Sequence, residues 1–187
     1  MGQALQKELS PWMETALQQL EGHRENLAET DALLIKIELQ TLYLVGAGRV
    51  QKNWPVSTSK FGIGNQSGSY KTPVGLHRVA DKIGAHCRLR EIIRARIPTG
   101  EVAPLGGAVP ASRDMITTRI LWLQGLQPGL NSGGNVDSYL RYIYIHGTPE
   151  ERLLGSPSSI GCVRMGNEDV IELFDLVEVG TLVNIVP

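Results

Sequence analysis

The feature that most constrains this chain is a recurring two-residue rhythm. From about residue 31, short apolar runs alternate with polar side chains and are cut by glycine and proline turns. Ile35, Ile37 and Leu39 alternate with Lys36, Glu38 and Gln40. Successive side chains of a strand point to opposite faces, so this is the pattern of a half-buried strand. Further strands are expected over 41–45, 50–57, 74–80, 116–123, 139–146 and 181–186. Gly46-Ala47-Gly48, Gln127-Pro128-Gly129 and Ser132-Gly133-Gly134 supply turns between some of them. The expected fold is mainly β, a sandwich or barrel-like mixed sheet with a few helices.

Two helices fit around the strands. At the N-terminus Ser10 suits an N-cap and Pro11 the first helical position, where a missing N–H costs nothing. Trp12, Met13, Ala16, Leu17 and Leu20 then share one face, and Gly22 is a natural stop. Near the C-terminus Asn167 is expected to cap a second helix, with Glu168 and Asp169 in its positive first turn. Val170, Leu173, Phe174 and Val177 form its apolar face. The expected organisation is an N-terminal helical extension over 1–30 and a β-rich domain over 31–187. Two glycine- and proline-rich stretches, 97–110 and 124–137, read as long loops.

Composition excludes several classes of function. A formal net charge of −1 over 187 residues favours neither nucleic acid nor an anionic membrane. No apolar run approaches the roughly 20 residues that span a bilayer. The opening MGQALQKELS lacks the charged start, apolar centre and cleavage site of a signal peptide. The two cysteines, Cys87 and Cys162, make no disulfide-dense scaffold and no CxxC motif. His77, His86 and Cys87 show no metal-ligand spacing, so no metal is expected. Arg88, Arg90, Arg94 and Arg96 form a local basic cluster that reads as a solvated face. Gly62-Ile63-Gly64 makes no nucleotide-binding loop.

The segment 139–164, YLRYIYIHGTPEERLLGSPSSIGCVR, carries the chemistry. His146 ends a strand on the face shared by Tyr142 and Tyr144 and meets Gly147. Cys162 follows Gly161, with Arg164 two residues on. A cysteine attacks carbonyls as its thiolate, which an imidazole base and nearby positive charge favour. His146 is placed to take the thiol proton, and Arg164 to grip a substrate carboxylate. Gly161 lets the backbone approach closely enough for N–H groups to surround an oxyanion. Histidine precedes cysteine here, the reverse of the papain order.

His146-Gly147 followed by Ser159-Ile160-Gly161-Cys162-Val163-Arg164 resembles the signature of the YkuD-type L,D-transpeptidases. Pro55-Val56-Ser57-Thr58, Lys71-Thr72-Pro73-Val74-Gly75 and Gly180-Thr181 extend the resemblance over roughly residues 32–187. The resemblance implies Cys162 as nucleophile, His146 as base and the Gly147 carbonyl as the group that orients the imidazole. It places the N–H groups of Ile160, Gly161 and Cys162 in an oxyanion hole, with Arg164, Ser159 and Tyr144 supporting the substrate or its loop. The implied substrate is a peptidoglycan tetrapeptide stem, attacked at its third carbonyl before a terminal D-alanine, with a second stem's amine as acceptor. No cofactor is implied. The implied location is the periplasm or cell envelope, and the implied inhibitors include carbapenems. One position departs from the family: a second histidine commonly precedes the Gly-Cys pair, and here that residue is Ile160. Two alternatives stand beside the transpeptidase, an L,D-carboxypeptidase and a non-catalytic peptidoglycan-binding module.

Overall fold

The computed structural model describes residues 8–23, 31–104 and 114–187. Two helices, α1 (Pro11–Gln18) and α2 (Asn167–Leu176), accompany ten strands. These are β1 (Ala32–Lys36), β2 (Thr41–Gly46), β3 (Arg49–Ser57), β4 (Gly75–Ile83), β5 (Glu91–Arg94), β6 (Ile97–Val102), β7 (Thr117–Gly125), β8 (Tyr144–Gly147), β9 (Val163–Met165) and β10 (Leu182–Val186). Eight of them run in the order β4-β10-β1-β2-β3-β9-β8-β7, and a β4–β7 pairing closes the ring. The β5–β6 hairpin hangs from β7 through Ile92 and Thr117. Most pairings are antiparallel, but β1–β10 and β8–β9 are parallel. The expected mixed, barrel-like sheet is therefore present. Closure leaves few open edges, which removes a common route to strand-mediated aggregation.

The two-residue period sorts the core. Leu33 and Ile35 of β1 meet Leu121, Ile145, Val163 and Met165, and α2 adds Val170, Leu173 and Phe174. Ala32 and Leu34 point the other way and pack with Met13, Ala16 and Leu20. β1 is thus buried on both faces rather than half-buried, because the N-terminal helix covers its outer side. A polar tie reinforces that docking: Asn184 Nδ2 on β10 donates to Ala16 O and Gln19 Oε1, each at 2.9 Å.

Several local expectations change. The strand expected through Leu39 stops at Lys36, where a turn with left-handed Gln40 (φ 46°) leaves Leu39 exposed. The strand expected over 139–146 begins only at Tyr144, since left-handed Tyr142 (φ 57°) breaks extended pairing. Part of the expected 97–110 loop is β6, paired with β5; positions 105–110 lie outside the described residues. α1 ends at Gln18, before Gly22, and the Ser10 hydroxyl makes no capping hydrogen bond. Gly166, not Asn167, is the cap residue of α2.

His77, on β4, is fully buried. Its Nδ1 lies 2.9 Å from Gly75 O and its Nε2 2.9 Å from Ser138 Oγ. A carbonyl only accepts, so the proton sits on Nδ1 and Nε2 receives the serine hydroxyl. Burial pushes this imidazole down to about 4. Between the ordinary histidine value and pH 4 the unfolded chain binds a proton that the folded chain refuses, so stability falls as pH drops. The loss from this residue amounts to about 3 kcal/mol by pH 4. Urea denaturation at pH 7 and pH 4 is expected to show a smaller acid loss in His77→Gln than in the parent, by about that amount.

Candidate active site

Strand register builds the site. In the parallel β8–β9 pair, Ile145 lies beside Val163 and His146 beside Arg164. Ile145 and Val163 are fully buried in the main core. Alternation therefore sends His146 and Arg164 to the opposite face, with Tyr144 and Cys162 two residues before each. Cys162 packs there against a second apolar group containing Trp122, Tyr144 and Ile120.

His146 is fully buried, and its Nδ1 lies 2.8 Å from Gly147 O. That hydrogen bond fixes the tautomer: Nδ1 carries the proton and Nε2 presents a bare lone pair. Nε2 has no hydrogen-bond partner among the described residues. Burial holds the imidazole below its ordinary pKa, with the Asp114 carboxylate opposing that shift. The ring is thus a neutral base at pH 7.

Gly147 is glycine for lack of room. A Cβ there would sit 2.6 Å from Thr117 O and 2.9 Å from Asn167 Oδ1. Asn167, expected from the sequence to cap α2, instead turns its buried amide into a network. Its Oδ1 accepts from the hydroxyls of Thr117, at 2.7 Å, and Thr118. Its Nδ2 donates to Thr148 O at 2.7 Å and to Glu151 Oε1 at 2.6 Å. One amide therefore joins β7, the chain leaving β8 and the start of α2.

The half-buried Cys162 donates its thiol hydrogen to Tyr142 O at 3.3 Å. Burial, and then the Asp114 carboxylate, push this thiol up to about 12. The resting pair is accordingly a thiol and a neutral imidazole, and ionisation of Cys162 requires a base. The loop before it is well anchored. Gly161 adopts φ 133°, which only glycine tolerates readily, and its carbonyl accepts from Thr72 Oγ1 at 3.0 Å. Ser159 is buried, donates to Cys162 O at 2.6 Å and receives the Gly161 N–H at 3.3 Å. The Ile160 N–H points at Asp114 Oδ2, 3.4 Å away. Both N–H contacts are long, so these donors are weakly held.

Of the two roles expected for Arg164, gripping a substrate carboxylate and supporting the loop, its contacts are those of loop support. Its side chain is 4% exposed. Nε pairs with Asp114, and NH1 lies 3.2 Å from both Glu150 Oε2 and Ser158 Oγ. The protein's own carboxylates occupy the fork, and Arg164 serves the loop. Ser159 likewise faces the loop rather than open space. Tyr144 is buried and meets Trp122 edge-on at 5.4 Å. Most of the basic cluster has internal partners: Arg88 pairs with Glu91, Arg94 with Glu101, and Arg90 donates to Ala103 O. Asp114 and the network role of Asn167 escaped the sequence, where neither belongs to a motif. Among the described residues no three potential metal ligands cluster, and no helix is long and apolar enough to cross a membrane.

The fold is a closed mixed sheet whose parallel β8–β9 pair brings His146 and Cys162 to one face. Residues 30–185 match the YkuD family, the L,D-transpeptidase catalytic domain, and the chain belongs to that family. It is 40% identical over 62 residues to the putative L,D-transpeptidase YkuD of Bacillus licheniformis, a match covering 30% of this chain and 38% of that one. An L,D-transpeptidase from Mycobacterium tuberculosis superposes with a TM-score of 0.54 at 16% identity, covering 85% of this chain and 58% of its own. L,D-transpeptidase 3 from the same organism, in complex with a faropenem-derived adduct, gives 0.53 at 17% identity, covering 85% and 61%. An L,D-transpeptidase from Mycobacterium smegmatis gives 0.51 at 16%, covering 85% and 59%. The chain thus spans about three-fifths of these solved structures, and the likeness to them is one of fold.

Two outcomes test this geometry. Asn167→Ala strands two threonine hydroxyls and a buried carbonyl, and is expected to cost about 3 kcal/mol in urea denaturation. Asp114→Asn removes a negative charge beside the thiol, so the pH midpoint for iodoacetamide labelling of Cys162 is expected to move down. Peptide mapping separates that label from any on Cys87, and an unmoved midpoint would remove Asp114 from the electrostatics of the site.

Proposed function

We propose that Cys162 and His146 catalyse acyl transfer on peptidoglycan stem peptides, as an L,D-transpeptidase. The observation that carries this reading is the fixed imidazole. Gly147 O holds Nδ1–H, which leaves Nε2, without a partner among the described residues, on the face it shares with Cys162. A lone pair so presented has one evident chemical use, to take the proton of a nearby nucleophile.

The Cys162 S–H turns from Tyr142 O towards Nε2 and gives up its proton. Sulfur attacks the carbonyl carbon of the third stem residue, and the oxyanion forms near the N–H groups of Ile160, Gly161 and Cys162. The carbon–nitrogen bond to the terminal D-alanine breaks as His146 returns the proton to the leaving amine, giving a thioester. An acceptor amine then loses a proton to His146 and attacks the thioester, forming the new amide and restoring the thiol. The weak Ile160–Asp114 contact must give way for that donor to serve the oxyanion. Replacement of the family's second histidine by Ile160 leaves the backbone N–H unchanged. Envelope location follows from the substrate and is part of the same proposal.

Intact-mass analysis after mixing with a carbapenem tests the nucleophile. The parent is expected to gain one adduct, Cys162→Ala none, and His146→Gln to acylate at least 100-fold more slowly, within the range ascribed to general base catalysis. No adduct on folded, reduced parent would leave the binding-module reading in its place. With a purified tetrapeptide stem, cross-linked dimer plus free D-alanine is expected. Tripeptide plus D-alanine alone would make the enzyme an L,D-carboxypeptidase.

A further inference from the structure

Arg96 stands apart from the rest of the basic cluster. It lies in the tight turn of the β5–β6 hairpin, where Ala95 (φ 47°) and Arg96 (φ 68°) are both left-handed without being glycine. Two-residue hairpin turns of this hand normally take asparagine, aspartate or glycine. Non-glycine residues held there cost energy, and such strain concentrates at functional sites. The turn carries the guanidinium over the rings of Trp122, at 5.3 Å, and Tyr142, at 5.0 Å. The neighbouring Tyr144 is the foremost influence raising the basicity of this group. Trp122 and Tyr144 belong to the apolar group against which Cys162 packs, and Tyr142 supplies the carbonyl that receives its thiol.

The hairpin thus holds a cation on an aromatic wall beside the nucleophile. No carboxylate of the described residues pairs with it. Two other arginines among the described residues near Cys162 are committed elsewhere. Arg164 is held between Asp114 and Glu150, and Arg141 donates to the carbonyls of Gly64, Asn65 and Lys71. A guanidinium lying over rings keeps its in-plane donors for a planar anion, and the aromatic floor fixes its position. We propose that Arg96 is the carboxylate-reading residue of this site, and that the donor peptide carries its carboxylate within one residue of the bond Cys162 attacks. This inference rests on the acyl-transfer reading above and adds the substrate feature that Arg164 was expected to recognise.

Two carboxylates lie within one residue of that bond: the α-carboxylate of the leaving residue and a side-chain carboxylate on the residue that is acylated. Three donor tetrapeptides separate them, one with both groups free, one with the terminal carboxylate amidated, and one with the third side-chain carboxylate amidated. D-alanine or D-alaninamide release is measured with parent and Arg96→Gln. In the parent, amidating the recognised carboxylate is expected to lower kcat/KM roughly tenfold, the scale of one hydrogen-bonded charge. In Arg96→Gln that penalty is expected to vanish, because the free-acid substrate falls to the level of the amide. The amide whose penalty disappears names the carboxylate. If Arg96→Gln slows all three donors equally, or leaves both penalties intact, Arg96 is a packing residue and the proposal is overturned. Carbapenem acylation of the parent separates the two levels: failure there removes the acyl-transfer reading, whereas an acylating parent with unchanged penalties removes only this one. Arg96→Lys is expected to recover part of the discrimination, since it restores charge without the planar fork.

Discussion

The site depends on one parallel pairing inside a largely antiparallel ring. Because β8 and β9 run the same way, one chain crosses over between them, and the residues leaving it return on a fixed side. Ile145 beside Val163 settles the matter: both are fully buried, so a slip of one residue in β8 would send Ile145 out of the core and turn His146 into it. The same burial that stabilises the barrel therefore sets the partner relation of imidazole and thiol. Antiparallel β7 on the far side of β8 supplies the Thr117–Thr118 irregularity that receives Asn167. Packing and chemistry share a single register.

Electrostatics then sets the resting state. Arg164, Asp114 and Glu150 form a buried charged group beneath the Cys162 loop. Replacing such a group by apolar residues is often neutral for stability, whereas removing one member exposes the others to a large desolvation cost. Its consequence here is polarity near the thiol. Burial, and then Asp114, push the Cys162 pKa up, while burial outweighs Asp114 in holding the His146 pKa down, so the site rests with its proton on sulfur. A cysteine kept as a thiol resists adventitious oxidation and alkylation, which follow thiolate character. In the proposed reaction, His146 then ionises it only when a carbonyl is in place.

Much of this was legible in the sequence, and the failures have physical causes. Period-two patterning located β2, β3, β4, β7 and β10 because each has one side towards an apolar core. It misread β1, whose outer face is covered by a helix distant in sequence from the strand's own pattern. It overextended β8, because Tyr142 looks like a strand residue and only its backbone angle shows otherwise. The short β9 lies within the Cys162 motif and has too few residues to show a period. His146, Gly147 and Cys162 were readable as a local motif. The occupation of Arg164 was not, since Asp114 lies 50 positions away and becomes a neighbour only through the fold. Asn167 was read for a local role that its backbone neighbour Gly166 takes instead.

Strain completes the picture. Non-glycine residues with left-handed backbones include Tyr70, Arg96, Thr118 and Tyr142, and each contacts the candidate site or the residues that support it. The Tyr70 carbonyl accepts from Ser59 Oγ and lies near Gly161. Thr118, a β-branched residue in a conformation it strongly disfavours, gives its hydroxyl to Asn167. Tyr142 directs a carbonyl at the thiol, and Arg96 places its charge over the aromatic wall. Such residues cost of order 1 kcal/mol or more each and persist only where surrounding contacts over-determine them. Here the contacts are visible: Asn167 receives the Thr118 hydroxyl, the Tyr70 carbonyl receives Ser59 Oγ, and the Trp122 ring lies beside Tyr142 and under the Arg96 guanidinium. A closed ring of strands supplies the stability that offsets this cost, which is why the strain can gather at one edge of β8 without unravelling it.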